Sequence, residues 1–502
     1  MSATAVSLLD SVPGANTALR LPSGDVSYAE LRERVGALAA SLAAGGVGAG
    51  SRVLIRVEGD PARLVCKLAV HSLGAVAAPI NPATDGPELE FLVSHTEPAA
   101  AIADEELAPG LALAEEVGLW IGADLQARAL RPCARATAPR RPRAEDPASL
   151  IYTSGSAARP RGAVVSHAAH VAMGRDVARL LGAGPNDRFL ALSPFFHVGG
   201  WSTAAMPALA AGASLVLPGP FSATRFWDDV ERWRPSLWTT GLAFLEMVAA
   251  RGGDPPPSHP FRHVISNLRE DTWELARGRL GLPIGTYYGL TENDGRGTFA
   301  LETPDYRAGF VGRAYAPGDG IRITREGTEL APGEVGEIEF RGPCTMSGYF
   351  RDEAATAAVL RDGGWLATGD LGRLDPDGTL WFSGRIKNMI KRSGENVSAE
   401  EVELHLRAHP ELADVAVTAV SDRVREEEIK AIVVPVAGSS PSPEDLLEHC
   451  RAGLPDFKVP RYFQFVDQLP RTASGKPDIA AVRRSFGTPA GSWDSLNPRG
   501  AG

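Results

Sequence analysis

Four short stretches of the sequence combine hydroxyl, carboxylate and cationic side chains in a way that could serve phosphate chemistry. The first is YTSGSAARPRG, residues 152–162, which follows an apolar run. Its hydroxyls and backbone N–H groups stand in a glycine-containing turn beside two arginines, which is suitable for wrapping a polyphosphate. It is not the GxxxxGK[ST] loop, so the usual P-loop inference does not apply. Taken alone, such a stretch is more often only a turn.

The second stretch is YYGLTEND, residues 287–294. The Glu292 carboxylate beside the Thr291 hydroxyl suits a hard cation that bridges phosphate oxygens, and the Tyr288 ring could cover a base. A capped strand end is the structural alternative for this stretch.

The third stretch, WLATGDLGRLDPDGTLWFSGR, spans residues 365–385, and the fourth, LPRTASGKPD, spans 469–478. Asp370 lies in a glycine-flanked turn, where its carboxylate could accept hydrogen bonds from the hydroxyls of a ribose, and Arg385 could donate to the same sugar or to a phosphate. Lys476 follows a Ser-Gly turn. A lysine there is normally solvated, so it gains interest only as part of a set.

The elements that must position these residues belong to a chain of 502 residues, which predicts two or more domains. Hydrophobic residues at 44% and charged residues at 22% are typical of a globular enzyme. The net charge of -10 argues against a general nucleic-acid or anionic-membrane binder. We see neither a secretory signal nor a membrane-spanning apolar run, so we expect a cytoplasmic protein. Four cysteines without a CxxC pair favour reduced thiols.

Hydrophobic periodicity predicts helices that alternate with strands through the first 300 residues. A helix capped by Ser27 carries apolar residues at helical spacing and leads into the strand RVLIRV. Later helices are expected at about 223–233, 242–251 and 271–279. Such alternation predicts a parallel sheet covered by helices.

Two further regions have other patterns. After residue 294, short strands with turns predict a β-rich subdomain. Beyond residue 391, helices at 398–408 and 443–453 with strands between and after them predict a small α+β domain. The arginine-rich stretch 128–143 is interpreted as a solvated surface loop.

The four stretches, in this order, resemble the motifs of the adenylate-forming superfamily of acyl-CoA synthetases, nonribosomal-peptide adenylation domains and luciferases. The look is closest to acyl- or aryl-CoA ligases. The resemblance covers nearly the whole chain, because YAELRERVGALAASLAAGGVGAGSRV, LGAVAAPINP, GEIEFRGPCTMSGYFRDEAAT and SGENVSAEEVE also match in order. One motif would be weak evidence, but the ordered series is strong.

The resemblance implies an ATP site, whose residues follow along the chain. They are Thr153, Ser154, Gly155, Ser156 and Arg161 at the β- and γ-phosphates, Tyr288 on adenine, Thr291 at the α-phosphate, Glu292 as the magnesium ligand, Asp370 and Arg385 on the ribose, and Lys476 between the substrate carboxylate and the α-phosphate.

The resemblance also implies an acyl pocket and a mobile C-terminal domain. The pocket residues are His197, Trp201, Gly241 and Tyr287, with His197 near the carboxylate, although a buried structural histidine is the alternative. The implied catalytic residues are Lys476, Thr291, Glu292 and His197. Lys387 matches the hinge position, and Gly394 the tunnel for the acceptor thiol. We therefore expect a large domain at 1–384, a hinge at 385–390, a small mobile domain at 391–485 and a disordered tail at 486–502.

The expected activity is the ATP-dependent activation of a small-molecule carboxylic acid as acyl-adenylate, followed by transfer to CoA, with ATP, Mg²⁺ and CoA as cofactors. The phosphate loop departs from the family pattern at Ser156, Ala157, Ala158 and Arg161, and Asn267 to Arg269 are bulkier than the usual glycines. The second step therefore stays open between CoA, a separate acyl-carrier protein, an amine and nitrite. A nucleotide-binding pseudoenzyme is the alternative from another class. Neither nucleic acid nor a membrane is expected as a partner.

Overall fold

The computed structural model describes residues 4–123, 126–133, 137–153, 160–268, 270–303, 305–392, 395–422, 425–454, 456–471 and 477–497. Contacts between residues divide the chain into two compact units. The first unit comprises Met1–Ile321, Glu339–Ala367 and Gly378–Leu380, and the second comprises Arg322–Ile338, Thr368–Asp377 and Trp381–Gly502.

The α-helices follow the predicted alternation with strands. They are α1 Ala5–Ser11, α2 Tyr28–Ala44, α3 Asp60–Ser72, α4 Gly86–Thr96, α5 His167–Leu180, α6 Val198–Gly200, α7 Met206–Ala211, α8 Phe226–Trp233, α9 Leu242–Arg251, α10 Glu270–Glu274, α11 Glu353–Val359, α12 Ala399–Arg407, α13 Pro443–Gly453 and α14 Ile479–Phe486. None of these helices combines the length and the apolar composition that crossing a membrane requires, as far as the described residues show.

In the described part of the chain, sixteen strands of the first unit precede residue 320. They are β1 Thr17–Leu21, β2 Gly24–Ser27, β3 Arg52–Arg56, β4 Val76–Pro79, β5 Ala100–Ala103, β6 Gly118–Ala123, β7 Gln126–Arg131, β8 Pro147–Thr153, β9 Arg161–Ser166, β10 Arg188–Leu190, β11 Ser214–Val216, β12 Leu237–Thr240, β13 His263–Ser266, β14 Ile284–Tyr288, β15 Thr298–Ala300 and β16 Phe310–Ala314.

These strands form two mainly parallel arrays. One sheet has the order β7-β6-β5-β3-β4-β8-β9, and the other runs β16-β15-β14-β13-β12-β10-β11-β1-β2. The central pairs are parallel, such as β3 with β4 and β12 with β13, whereas antiparallel pairs such as β8 with β9 and β14 with β15 lie toward the edges. Parallel strands need helical crossovers, which explains the alternation read from the sequence. The predicted helix-covered parallel sheets are confirmed.

The helix α2 shows how the local sequence sets an element. The Ser27 side chain accepts a hydrogen bond from the Glu30 N–H, and the Glu30 carboxylate accepts one from the Ser27 N–H, which closes a capping box. The apolar positions of its inner face are buried: Leu31, Val35, Leu38 and Leu42. Each such side chain contributes about 1.5–3 kcal/mol to stability when it is fully buried.

Short strands joined by turns follow, as the pattern after residue 294 predicted. They are β17 Gly320–Arg325, β18 Thr328–Glu329, β19 Gly336–Arg341, β20 Leu360–Arg361, β21 Trp365–Leu374 and β22 Leu380–Arg385.

The C-terminal part of the second unit has its own sheet and core. Its strands are β23 Met389–Arg392, β24 Glu395–Ser398, β25 Leu412–Asp422, β26 Glu426–Pro435, β27 Tyr462–Phe465 and β28 Trp493–Asp494. The order is β24-β23-β26-β27-β28, with β25 paired to β26. The buried cores of α12 and α13, including Val402, Leu406 and Leu446, pack in one cluster with residues of this sheet. This confirms the predicted small α+β region.

The expected disordered tail is wrong for the residues up to 497. Trp493–Asp494 pair as a strand with Tyr462–Phe463, and the Arg461 guanidinium holds both carboxylate oxygens of Asp494 at 3.0 Å. The Trp493 ring packs on the core cluster of the second unit. A bidentate ion pair and a packed aromatic ring therefore order a segment that was expected to be disordered.

The arginine-rich stretch is also not wholly a loop. Its first residues belong to β7, which pairs antiparallel with β6 at an edge of the sheet. Exposed arginines are compatible with an edge strand because they discourage pairing with another chain.

Candidate active site

The two ends of the predicted phosphate loop meet at one hairpin. Thr153 ends β8 and Arg161 begins β9, and the two residues are paired across the ladder. Ser154, Gly155 and Ser156 lie outside the described residues. Thr153, with its hydroxyl, and Arg161, with its guanidinium, therefore flank the loop on its two sides.

A tyrosine that the sequence reasoning missed connects this hairpin to Glu292. The Tyr349 hydroxyl donates to Glu292 Oε1 at 2.7 Å, and the Arg161 guanidinium lies 5.5 Å from the centre of the Tyr349 ring. Arg161 also pairs with Asp352 at 3.4 Å. Burial, followed by the neighbouring Glu292 carboxylate, raises the pKa of Tyr349, so that its hydroxyl remains a donor. Tyr349 lies in GPCTMSGYF, a stretch that matches the family in order but to which the motifs assign no role.

Thr291 and Glu292 lie in a short 3-10 turn, Thr291–Asn293, that follows β14. The Asn293 side chain accepts a hydrogen bond from the Leu290 N–H at 2.8 Å, and the Glu292 carbonyl accepts one from the Met346 N–H at 2.8 Å. Backbone and side-chain bonds thus fix the direction of the Glu292 carboxylate.

The two tyrosines at the end of β14 point to opposite faces, as successive strand residues do. Tyr287 packs against the main core cluster, and burial raises its pKa to about 12. The ring of Tyr288 is half-buried and lies 5.7 Å from that of Phe340. An aromatic wall at Tyr288 is compatible with stacking on a base.

The predicted ribose pair is brought together within the second unit. Arg385 Nε lies 3.1 Å from Asp370 Oδ1, and the Asp370 side chain is 1% exposed while Arg385 is 57% exposed. The Thr368 hydroxyl accepts a hydrogen bond from the Asp370 N–H at 3.0 Å. A buried carboxylate held by an exposed guanidinium can exchange part of that pairing for the hydroxyls of a ligand.

Three predicted positions near the C-terminus have little or no structural description. Lys387 belongs to the 3-10 turn Ile386–Asn388, but its side chain is not among the described groups. Gly394 and Lys476 lie outside the described residues. Their roles stay predictions.

The predicted acyl-pocket residues occupy different environments in the first unit. His197 is exposed at the start of α6, with the Phe196 ring 4.4 Å away, which contradicts the alternative of a buried structural histidine. Gly241 precedes α9 in extended backbone, and the space that a Cβ would occupy there is open. Trp201 is fully buried, and the Lys67 ammonium lies 3.7 Å from its ring centre.

A buried polar network near Trp201 was not predicted. Asp294 accepts hydrogen bonds from the Ser202 hydroxyl at 2.6 Å and from His170 Nδ1 at 2.9 Å. His170 Nε2 in turn lies 2.9 Å from the Ser149 hydroxyl, and Ser149 belongs to the strand that leads to Thr153. Polar groups removed from water must find partners, so this network ties the turn after β14 to β8.

Comparison with known proteins identifies the family. Residues 11–350 match the sequence model described as AMP-binding enzyme, and residues 401–476 match the AMP-binding enzyme C-terminal domain. The chain belongs to the AMP-binding enzyme family. The resemblance read from the motifs is thereby confirmed.

Two curated relatives of this AMP-binding enzyme are CoA ligases. The chain is 35% identical over 488 residues to indoleacetate–CoA ligase of Aromatoleum aromaticum, which covers 94% of this chain and 95% of that protein. It is 30% identical over 481 residues to crotonobetaine/carnitine–CoA ligase of Salmonella paratyphi C, covering 90% and 91%.

Solved structures share the fold at full length. ATP-bound MatB from Rhodopseudomonas palustris superposes with a TM-score of 0.87 at 28% identity, covering 97% of this chain and 99% of that one. The amide bond synthetase McbA from Marinactinospora thermotolerans gives 0.84 at 28% identity, covering 96% and 99%. Proteins named for CoA ligation and for amide bond synthesis are thus both similar to this chain over nearly its full length.

Glu292 fits the magnesium ion that the family implies. Mg²⁺ commonly binds one or two protein carboxylates and completes its shell with phosphate oxygens and water. The Tyr349 hydroxyl engages one carboxylate oxygen of Glu292 and orients the group. Among the described residues, no three His, Cys, Asp or Glu side chains converge as a metal-binding group.

Proposed function

We propose that this AMP-binding enzyme activates a small carboxylic acid with ATP and then transfers the acyl group to CoA. In the first step a carboxylate oxygen bonds to the α-phosphorus while the bond to pyrophosphate breaks, and the acyl-adenylate remains. In the second step the CoA sulfur bonds to the acyl carbon, AMP leaves, and the thiol proton passes to solvent.

The geometry around Tyr349 is the observation that carries this proposal. Its ring lies beside the Arg161 guanidinium, and its hydroxyl holds the Glu292 carboxylate. A guanidinium and a carboxylate thus both contact one side chain, which supports the proposed phosphate and magnesium roles of Arg161 and Glu292. Phosphoryl chemistry depends on this kind of preorganised charge, because the polyphosphate carries several negative charges in line.

The remaining roles follow the motif series. Thr153 and Arg161, with the loop residues between them, bind the β- and γ-phosphates, Tyr288 covers adenine, and Thr291 binds the α-phosphate. Mg²⁺ at Glu292 would supply positive charge to the phosphates when bound.

Two further roles belong to the second unit. Asp370 and Arg385 bind the ribose, since their paired side chains offer an acceptor and donors to its hydroxyls. Lys476 provides the ammonium between the acid and the α-phosphate.

The acid is proposed to carry an aromatic ring. Full-length identity of 35% to a ligase named for indoleacetate supports this class. His197 is the proposed carboxylate-side residue, and its exposed ring, with the tilted Phe196 ring beside it, offers aromatic contacts to an aromatic substrate. Because ATP and CoA are cytoplasmic metabolites, the proposed site of action is the cytoplasm.

Pyrophosphate release tests the first step. The enzyme is incubated with ATP, Mg²⁺ and indole-3-acetate, and we expect release that depends on the acid, followed by formation of a CoA thioester when CoA is added. Hydroxylamine trapping without CoA reports the adenylate separately. No release with any member of a panel of aryl, fatty and amino-bearing acids, with ATP still bound, would instead support a nucleotide-binding pseudoenzyme.

Amide formation is the second candidate for the acceptor step. The full-length structural similarity to an amide bond synthetase favours it over the other acceptors. Parallel reactions with CoA, with a primary amine, with nitrite and with a phosphopantetheinyl carrier protein identify the product by mass. A dominant amide from the amine, with no thioester from CoA, would replace the CoA assignment and leave the adenylation step in place.

A further inference from the structure

The helix α3 carries charged side chains on a face that lies inside the first unit. Asp60, Arg63 and Lys67 are spaced by three and four residues, so they share one side of the helix. Arg63 is 3% exposed and Lys67 is fully buried. Charged residues are rarely buried without specific partners, so these three require an explanation. We call them the polar face of α3.

The polar face of α3 holds the backbone of Phe195 from both sides. Asp60 Oδ1 accepts a hydrogen bond from the Phe195 N–H at 2.9 Å, and the Lys67 ammonium donates to the Phe195 carbonyl at 3.3 Å. Lys67 and Phe195 are 128 residues apart in the chain. Both main-chain groups of one residue are thus bound by side chains of one helix face.

The same face reaches His197 through an aromatic ring. The Arg63 guanidinium lies 5.0 Å from the centre of the Phe196 ring, and the Phe196 ring lies 4.4 Å from that of His197. Arg63 is itself held by an ion pair with Asp60 and by a hydrogen bond to the Val57 carbonyl. Each residue from 195 to 197 therefore connects to α3 directly or through its neighbour.

Lys67 also contacts Trp201, four residues after this segment. Its ammonium lies over the Trp201 ring at 3.7 Å, a cation–π contact inside the core. Burial lowers the pKa of Lys67 well below its usual value, with the Asp294 charge opposing the shift. A leucine or methionine at this position would pack without these costs, but it could not bind a carbonyl oxygen.

We propose that Asp60, Arg63 and Lys67 are positioning residues that orient the Phe195–His197 segment and thereby set the affinity for the acid. The role rests on the proposed function, in which His197 lies beside the substrate carboxylate. If the three residues position the segment that binds the acid, their replacement lowers the affinity for the acid and not that for ATP. A merely stabilising role predicts a lower melting temperature with both substrates affected alike.

The test compares the Michaelis constants for indole-3-acetate and for ATP in the adenylation step. Replacing Lys67 by Met keeps the length of the side chain and removes the hydrogen-bond donor. We expect the KM for the acid to rise about tenfold and the KM for ATP to stay within about twofold of the wild-type value. Lys430→Met is the matched control, since Lys430 is also buried and donates to the Thr488 carbonyl at 2.8 Å in the second unit. That variant should lower the melting temperature and leave both constants unchanged.

A second pair of variants keeps the proposal testable if Lys67→Met does not fold. Asp60→Ala removes the acceptor for the Phe195 N–H, whereas Asp60→Asn keeps an acceptor oxygen in the same place. We expect Asp60→Ala to raise the KM for the acid and Asp60→Asn to restore most of the affinity. Unchanged acid affinity in folded Asp60→Ala, or an equal rise for both substrates, would overturn the proposal.

One further variant separates failure of the inference from failure of the proposed function. If none of the acids tested causes the wild-type enzyme to release pyrophosphate, the proposed function is wrong. If it uses the acid but His197→Ala leaves the KM for the acid unchanged, the placement of the substrate is wrong. If His197→Ala raises the KM for the acid and the substitutions on α3 do not, the positioning role alone is refuted.

Discussion

Replacing Tyr349 by Phe tests the link between the tyrosine and Glu292. The substitution removes only the hydroxyl that donates to Glu292 Oε1 at 2.7 Å. The backbone of Tyr349 stays held, because its N–H donates to the Thr356 hydroxyl at 2.9 Å, and a phenyl ring can still face the Arg161 guanidinium. The change therefore isolates one hydrogen bond to a carboxylate.

The expected magnitude follows from that bond. A hydrogen bond to a charged group contributes about 1.5–3 kcal/mol, and we take the lower end because both side chains are half-buried. About 1.4 kcal/mol corresponds to tenfold in an equilibrium constant, so we expect the half-saturating Mg²⁺ concentration to rise about tenfold.

Two measurements check this expectation. One is the Mg²⁺ dependence of pyrophosphate release at saturating ATP and acid, and the other is the rise in melting temperature that Mg²⁺ and ATP cause together, which does not require turnover. Tyr28→Phe is the control, because the Tyr28 hydroxyl donates to the buried Ala213 carbonyl at 2.7 Å, in the core. It should cost stability and leave the Mg²⁺ dependence unchanged. A folded Tyr349→Phe enzyme with the Mg²⁺ dependence of the wild type would refute the reasoning.

Three further predictions concern other parts of the molecule. Lys476→Ala should abolish adenylate formation and largely spare thioester formation from a supplied acyl-adenylate, and equal loss of both half-reactions would contradict its role. Asp370→Ala should raise the KM for ATP about tenfold or more and leave the KM for the acid unchanged, since it removes a charge-assisted contact to the ribose. An unchanged ATP affinity would exclude the ribose role. Burial raises the pKa of Glu403 from 4.5 to about 7. The folded state then binds more protons than the unfolded state between these values, so stability falls as the pH rises through that window. Glu403→Gln, which can still accept from the Val417 N–H, should therefore raise the melting temperature at pH 8 more than at pH 4.5, and equal shifts at both values would argue against a buried charge there.

Local elements and their order could be predicted because their causes are local. The cap at Ser27 and the buried stripe from Leu31 to Leu42 lie within one helix, and the helices predicted at 242–251 and 443–453 have those bounds in the structure. The prediction of a disordered tail failed because residues distant in the chain order that segment. The segment at Trp493–Asp494 is ordered by Arg461 and by a strand that ends near residue 465.

The candidate site divides in the same way. The ordered motifs named Arg161, Glu292, Asp370 and Arg385, because a motif records which side chains a chemistry needs. They could not name Tyr349 as the partner of Glu292, since the two residues are 57 positions apart.

The sequence by itself determined the alternation of helices and strands, the family and the set of residues that we propose to bind ATP and an acid. Only the tertiary structure decided which distant groups meet. Lys67 in the apolar run LVCKLAVHS donates to the Phe195 carbonyl and lies over the Trp201 ring, and only folding brings these two groups to it. Periodicity records which face of a helix is buried. The identity of the groups on the other side of that interface depends on how segments from the whole chain pack together.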